Sequence, residues 1–107
     1  MLDKKRIRSI AKMYSDEVIK LLNPVSIIMF GSCVNGNSNE SSDIDIAVLV
    51  NNVAGEEWYN SRILLQKIRW EDDFFTEIEP HLLDKNSDPS GFVEHVIKTG
   101  EVIYEAC

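Results

Sequence analysis

Two aspartates separated by one residue, Asp43 and Asp45, begin an otherwise apolar run that ends at Val50. Side chains alternate between the two faces of a strand, so both carboxylates are predicted to lie on one face, a few ångströms apart. Two like charges that close repel each other and cost stability unless a cation lies between them. Carboxylate oxygens on a rigid backbone suit Mg²⁺. The pair therefore favours a fold in which this strand opens onto a cation site.

A glycine-serine turn precedes the aspartates. The run Val25 to Phe30 is continuously apolar apart from one serine, and it predicts a strand buried on both faces, which Gly31-Ser32 ends. Glycine permits a close backbone approach, and the serine hydroxyl stands beside exposed amides, so the turn predicts a phosphate-binding site. The segment Cys33 to Ser42 is rich in Gly, Ser and Asn and predicts a loop.

The rest of the chain alternates between helical and strand patterns. Predicted helices cover Asp3 to Leu22, Glu56 to Trp70, and a short segment with Asp88 as N-cap, Pro89 as its first residue and Gly100 as its end. Predicted strands cover Val25 to Phe30, Asp43 to Val50, Phe74 to Leu83 and Val102 to Tyr104. Pro80 places the third strand at an edge or a bulge. The expected fold is α/β, one domain over residues 1–107 with a mixed central sheet of three to four strands flanked by about three helices.

Charge and composition exclude several classes of function. A net charge of −7 argues against a groove for long DNA or RNA, which needs clustered Lys and Arg. No apolar run is long enough to cross a bilayer, and the N-terminus lacks the pattern of a secretory signal, so we expect a cytoplasmic protein without a membrane partner. Cys33 and Cys107 do not form a disulfide framework or a zinc site. His81 and His95 are assigned no chemistry, since a lone histidine is usually a surface residue.

The strand, the Gly-Ser turn, the polar loop and Asp-Ile-Asp-Ile together resemble the nucleotidyltransferase superfamily that includes DNA polymerase beta and kanamycin nucleotidyltransferase. The resemblance is strongest to the minimal nucleotidyltransferases (MNT), which are often encoded beside a helical partner of the HEPN type. It extends over essentially the whole chain and implies transfer of a nucleoside monophosphate, with AMP from ATP as the expected case.

The resemblance also implies roles for individual residues. Asp43 and Asp45 would coordinate two Mg²⁺ ions. The triphosphate would be held by a set of small polar residues, namely Gly31, Ser32, Asn35 and Ser42. A third carboxylate would share one ion and help to activate the attacking hydroxyl; Glu79 is favoured and Glu77 is the second candidate. The alternative is that both glutamates are surface residues of an edge strand.

One position departs from the family pattern. Many relatives carry an arginine where this chain has Asn35, and the loop Cys33 to Ser42 holds no positive charge. Asn35 can donate hydrogen bonds to a phosphate but supplies no Coulomb attraction. Weak nucleotide affinity, or a strong dependence of affinity on the metal, is therefore expected.

Three functions remain open at this point. The first is an adenylyltransferase whose acceptor is a hydroxyl of a HEPN partner, in the role of an antitoxin. The second is an antitoxin or regulatory subunit that binds nucleotide and masks its HEPN partner without catalysis. The third is a transferase for a small molecule such as an aminoglycoside, which would require a homodimer to complete the acceptor site.

Overall fold

The computed structural model describes residues 4–31, 34, 43–51 and 53–106. The helices and strands alternate along the chain, as the sequence pattern predicts. In chain order they are α1 (Lys4–Leu21), β1 (Ser26–Phe30), β2 (Ile44–Val50), α2 (Gly55–Glu71), a 3₁₀ turn (Asp73–Phe75), β3 (Ile78–Asp84), α3 (Phe92–Thr99) and β4 (Glu101–Glu105).

The four strands form one mixed sheet in the order β3-β2-β1-β4. Strand β1 pairs antiparallel with both β2 and β4, whereas β2 and β3 run parallel. The expected α/β fold with a mixed sheet of three to four strands and about three helices is confirmed for the described residues. No helix in this part of the chain has the length and apolar character needed to cross a membrane.

Both faces of the sheet are covered, and β1 shows why. All five of its residues are buried, and alternate side chains point to opposite faces. Ile27 and Met29 belong to the larger core cluster, together with apolar residues of α1 and α2, whereas Ile28 and Phe30 pack in a smaller cluster with α3. The sheet therefore lies between the α1/α2 layer on one face and the short helix α3 on the other.

A tyrosine joins the two helices of the larger layer. Tyr14 is fully buried, and its hydroxyl donates a 2.7 Å hydrogen bond to the carbonyl oxygen of Leu65 in α2. Its ring meets the edge of Phe75 at a centroid distance of 5.3 Å. Burial raises the pKa of the Tyr14 hydroxyl, so the side chain stays a neutral donor.

The third strand begins later than the sequence pattern indicates. Phe74 and Phe75 lie in the 3₁₀ turn, where the Asp72 carboxylate accepts a 3.0 Å hydrogen bond from the Phe74 amide. Glu77 is in the turn that follows, so the prediction that it lies within the strand is wrong. The prediction from Pro80 is confirmed, because β3 is an edge strand.

The start of the last helix is also later than predicted. Helix α3 begins at Phe92, and its N-cap is Gly91 with a φ of 79° rather than Asp88. A turn closed by the Gly91 amide and the Asp88 carbonyl at 3.2 Å delays the helix. The Asp88 carboxylate still accepts from the amides of Val93 and Glu94 at 2.9 and 3.0 Å, so it stabilises the first helical turn from outside.

Replacing Tyr14 by Phe tests the link between α1 and α2. The variant keeps the ring and loses the hydrogen bond to Leu65, so we expect the free energy of unfolding in urea to fall by about 1 kcal/mol. Tyr59→Phe is the control, because Tyr59 is 63% exposed and its change should stay within about 0.5 kcal/mol. Equal stability of the two variants would mean that the buried hydroxyl contributes nothing.

Candidate active site

The parallel pairing of β2 with β3 brings Asp45 beside Glu79. These two residues are direct partners in the register, and the next pair on the same face is Ala47 with His81. Asp45, Glu79 and His81 each offer one ligand atom, and these atoms all lie within 4.8 Å of one another. A position from β2 and two from β3 thus form one group, which we call the Asp-Glu-His cluster.

Two contacts fix His81 within the cluster. Its Nε2 atom lies 3.3 Å from Oδ1 of Asp45, and the two side chains are 33% and 25% exposed. Its ring packs against Phe30 at a centroid distance of 5.2 Å in an edge arrangement. The imidazole therefore contacts both Phe30 of β1 and the carboxylate of Asp45, which are cross-strand partners.

Gly31 lies against the same carboxylate. It follows β1 directly, and its φ of 83° is a left-handed conformation that favours glycine. A Cβ atom placed on it would lie 2.5 Å from Oδ2 of Asp45. The backbone conformation thus favours glycine here, a side chain would displace the Asp45 carboxylate, and the turn comes close to the predicted metal ligand.

Two other predicted residues lie nearby but outside the cluster. Asp43 immediately precedes β2 and is exposed. The carbonyl oxygen of Glu77 accepts a 2.7 Å hydrogen bond from the Ile44 amide, which ties the start of β3 to the start of β2. Of the two candidate glutamates, Glu79 is the one that the structure places with Asp45. The metal-binding roles of Asp43, Asp45 and Glu79 remain predictions.

Only one of the four residues predicted to hold the triphosphate, Gly31, lies within the described residues. Ser32, Asn35 and Ser42 lie outside the described residues, so their part in holding a triphosphate stays a prediction. Gly31 is described, and its approach to Asp45 places the end of β1 at the cluster.

The donor atoms of the cluster fit a divalent cation. Two carboxylates at neighbouring positions of a sheet repel each other when they are alone, and a cation between them removes that cost. Carboxylate oxygens suit Mg²⁺ and Mn²⁺, and imidazole nitrogen suits transition ions. A bound cation would supply positive charge that neutralises a triphosphate.

His81 is the member of the cluster to which the sequence analysis assigns no chemistry. The alternation used to pair Glu77 with Glu79 applies equally to Glu79 and His81, which are also two residues apart on one strand. That signal was present in the sequence, but it indicates proximity to Asp45 only once the register of β3 against β2 is known.

Comparison with known proteins identifies the family. The model of the polymerase beta nucleotidyltransferase family matches residues 5–106. The chain belongs to this family. The assignment as a nucleotidyltransferase domain is therefore confirmed, while no curated protein matches the chain by sequence.

Solved structures share the fold. A candidate nucleotidyltransferase from Sulfolobus solfataricus superposes with a TM-score of 0.67 at 20% identity, covering 95% of this chain and 83% of that one. A toxin-antitoxin structure with AMP-PNP gives a TM-score of 0.59 at 19% identity, covering 89% and 73%. The structure of a tri-AMPylated HEPN toxin of Shewanella oneidensis in complex with an MNT antitoxin gives a TM-score of 0.53 at 24% identity, covering 90% of this chain and 73% of that one. The expected similarity to MNT proteins of MNT-HEPN pairs thus extends to the fold.

Adding a methyl group at Gly31 tests how closely the turn constrains Asp45. Gly31→Ala should force the carboxylate to move and weaken Mn²⁺ binding by about tenfold, the range found when the support of a metal ligand is lost. The matched control is Gly55→Ala, since Gly55 also has a positive φ, 63°, but no atom within 4 Å of the added Cβ. Both variants should lose about 1–2 kcal/mol of stability from the backbone alone. Isothermal titration measures the Mn²⁺ affinity of each variant. Equal affinities would contradict the inference that a methyl group at Gly31 displaces the Asp45 carboxylate.

Proposed function

We propose that this domain catalyses the metal-dependent transfer of AMP from ATP to a hydroxyl group of a HEPN partner protein, acting as the antitoxin of an MNT-HEPN pair. The observation that carries the proposal is the pairing of Asp45 with Glu79 across β2 and β3, beside Gly31, in a domain of the nucleotidyltransferase family. Two carboxylates next to a glycine turn meet the requirements for binding a triphosphate together with its cation.

The proposed reaction assigns a role to each residue of the site. Asp45 and Glu79, with Asp43 at the start of β2, would hold two divalent ions, which supply charge neutralisation for the triphosphate. Gly31 lacks a side chain and lets the triphosphate approach the backbone; Ser32, Asn35 and Ser42 would donate hydrogen bonds to it.

The chemistry is an in-line displacement at the α-phosphorus of ATP. The acceptor hydroxyl oxygen forms a bond to that phosphorus, and the bond from phosphorus to the bridging oxygen of pyrophosphate breaks. Glu79 would take the hydroxyl proton; this role is supported by its exposure, since it is the exposed carboxylate of the cluster and can reach an acceptor from solvent. Pyrophosphate leaves, and AMP remains on the acceptor.

The solved structures support the donor and the acceptor. One neighbour contains AMP-PNP, and another pairs an MNT antitoxin with a HEPN toxin that carries three AMP groups. A third is a toxin-antitoxin variant in which two aspartates separated by one residue are both changed to glutamate. Asp43 and Asp45 have the same spacing.

A second function is favoured by one observation. The loop Cys33 to Ser42 holds no positive charge, so it supplies no Coulomb attraction to a phosphate. A domain that binds nucleotide weakly could mask its HEPN partner by contact alone. The transfer assay separates this regulatory role from the enzymatic one.

Three substitutions test the enzymatic proposal. Asp43→Asn, Asp45→Asn and Glu79→Gln should each lower AMP transfer by at least about 10²-fold, because each removes charge that holds the cation. Each variant should keep or slightly raise its melting temperature, since one repelling charge is gone. The assay combines the protein, Mg²⁺ or Mn²⁺, radiolabelled ATP and the product of the adjacent gene as the proposed acceptor.

The matched control is Asp16→Asn on α1, which removes a surface carboxylate 3.7 Å from Lys12 and should leave transfer unchanged. Label on the partner that disappears with EDTA supports the enzyme. A stable complex that never acquires label, with any metal, would sink the enzymatic proposal and favour the regulatory one.

A further inference from the structure

His81 brings an imidazole nitrogen to a cluster whose other ligand atoms are carboxylate oxygens. Its Nε2 atom lies 3.3 Å from Oδ1 of Asp45, and one of its ring nitrogens lies within 4.8 Å of a carboxylate oxygen of Glu79. The chain has only one other histidine, His95, which is exposed on α3. Of the two imidazoles, His81 is thus the one that lies among ligand atoms.

The distance between the two atoms suits a shared ion. Ligand atoms that sit about 2.0–2.2 Å from one cation are roughly 3 Å apart at a right angle and about 3.5 Å apart in a tetrahedron. The observed 3.3 Å between Nε2 and Oδ1 falls between these values. Glu79 is exposed, so rotation of its side chain can bring the third ligand atom to the same ion.

The ring is oriented before any ion arrives. Phe30 packs against the imidazole at 5.2 Å, and Phe92 packs against Phe30 at 5.6 Å, both in edge arrangements. Phe30 is almost fully buried and is the cross-strand partner of Asp45, so its ring limits the rotation of His81 beside that carboxylate. A ligand held in this way loses little conformational entropy when it binds.

The ligand type then decides which ions bind best. Mg²⁺ takes oxygen ligands and dehydrates reluctantly, whereas imidazole binds transition ions well. We propose that His81 is a metal ligand and that the cluster binds a transition-metal ion, represented by Mn²⁺, in preference to Mg²⁺. This inference deepens the proposed function, on which its biological meaning rests, by naming the class of ion for one of the two metal positions.

The competing role for His81 is a hydrogen bond to Asp45. The Nε2 atom cannot donate a proton to the carboxylate and bind a metal at the same time. Two variants separate these roles. His81→Phe keeps a ring against Phe30 and removes both nitrogens, whereas His81→Gln keeps an amide donor that can reach Asp45 and removes the imidazole.

The experiment measures metal binding without nucleotide. Purified full-length protein is titrated with Mn²⁺ alone and with Mg²⁺ as competitor, and free Mn²⁺ is counted by electron paramagnetic resonance. Pulsed measurements on bound Mn²⁺ then detect coupling to ¹⁴N of a coordinated imidazole. We expect this coupling in the wild type and in the control His95→Gln, and its loss in both His81 variants.

Affinities give the second readout. Both His81 variants should bind Mn²⁺ at least about tenfold more weakly, with a change of about threefold or less for Mg²⁺. Bound Mn²⁺ without ¹⁴N coupling in the wild type, no Mn²⁺ binding at all, or full affinity in His81→Gln would each overturn the inference. If His81→Phe fails to fold, the wild-type coupling and His81→Gln still decide the question.

The outcome is independent of the transfer assay. If ¹⁴N coupling is seen but no AMP is transferred, the assignment of His81 as a metal ligand is supported and the proposed function is wrong. If AMP is transferred but bound Mn²⁺ shows no ¹⁴N coupling, the proposed function is supported and His81 is not a ligand.

Discussion

The structure depends on the parallel pairing of β2 with β3. This pairing sets Asp45 opposite Glu79, and a shift of one residue would move every side chain of β3 to the other face of the sheet. The buried residues Ile78 and Leu82 hold the register, because they belong to the core beneath α1 and α2. The apolar face of the strand thereby determines where its polar face lies.

The rest of the fold serves to hold this arrangement rigidly. Strand β1 is buried on both faces, and its antiparallel partners lie on either side of it. On the side of α3, Phe30 links β1 to His81 and Phe92. The side chains of the Asp-Glu-His cluster are thus carried by strands, and His81 is also supported by aromatic packing.

The pattern of residues along the chain predicted the individual helices and strands. The apolar run of β1 and the periodicity of α1 predicted these elements to within one or two residues, because the spacing of apolar residues along the chain indicates which face of a strand or helix is buried. The two bounds that failed have local causes of another kind. Phe74 and Phe75 look like strand residues, yet the Asp72 carboxylate stabilises a 3₁₀ turn there, and a turn ending at Gly91 postpones α3.

The composition of the site depended on contacts between distant parts of the chain. Asp45 and His81 are 36 residues apart, and only the β2-β3 register shows that they meet. The aspartate pair and the Gly-Ser turn indicated the family because both lie within one stretch of the sequence, residues 31–45. No comparable motif surrounds His81, so its place in the cluster followed from tertiary structure alone.

The position of Pro80 between Glu79 and His81 has a consequence for assembly. The outer rim of an edge strand is a template onto which a strand of another molecule can add, and a proline removes a donor from that rim. A second chain is therefore hindered from extending the sheet at the point where it would cover the acidic site. Pro80 therefore both marks the margin of the sheet and disfavours the addition of a further strand there.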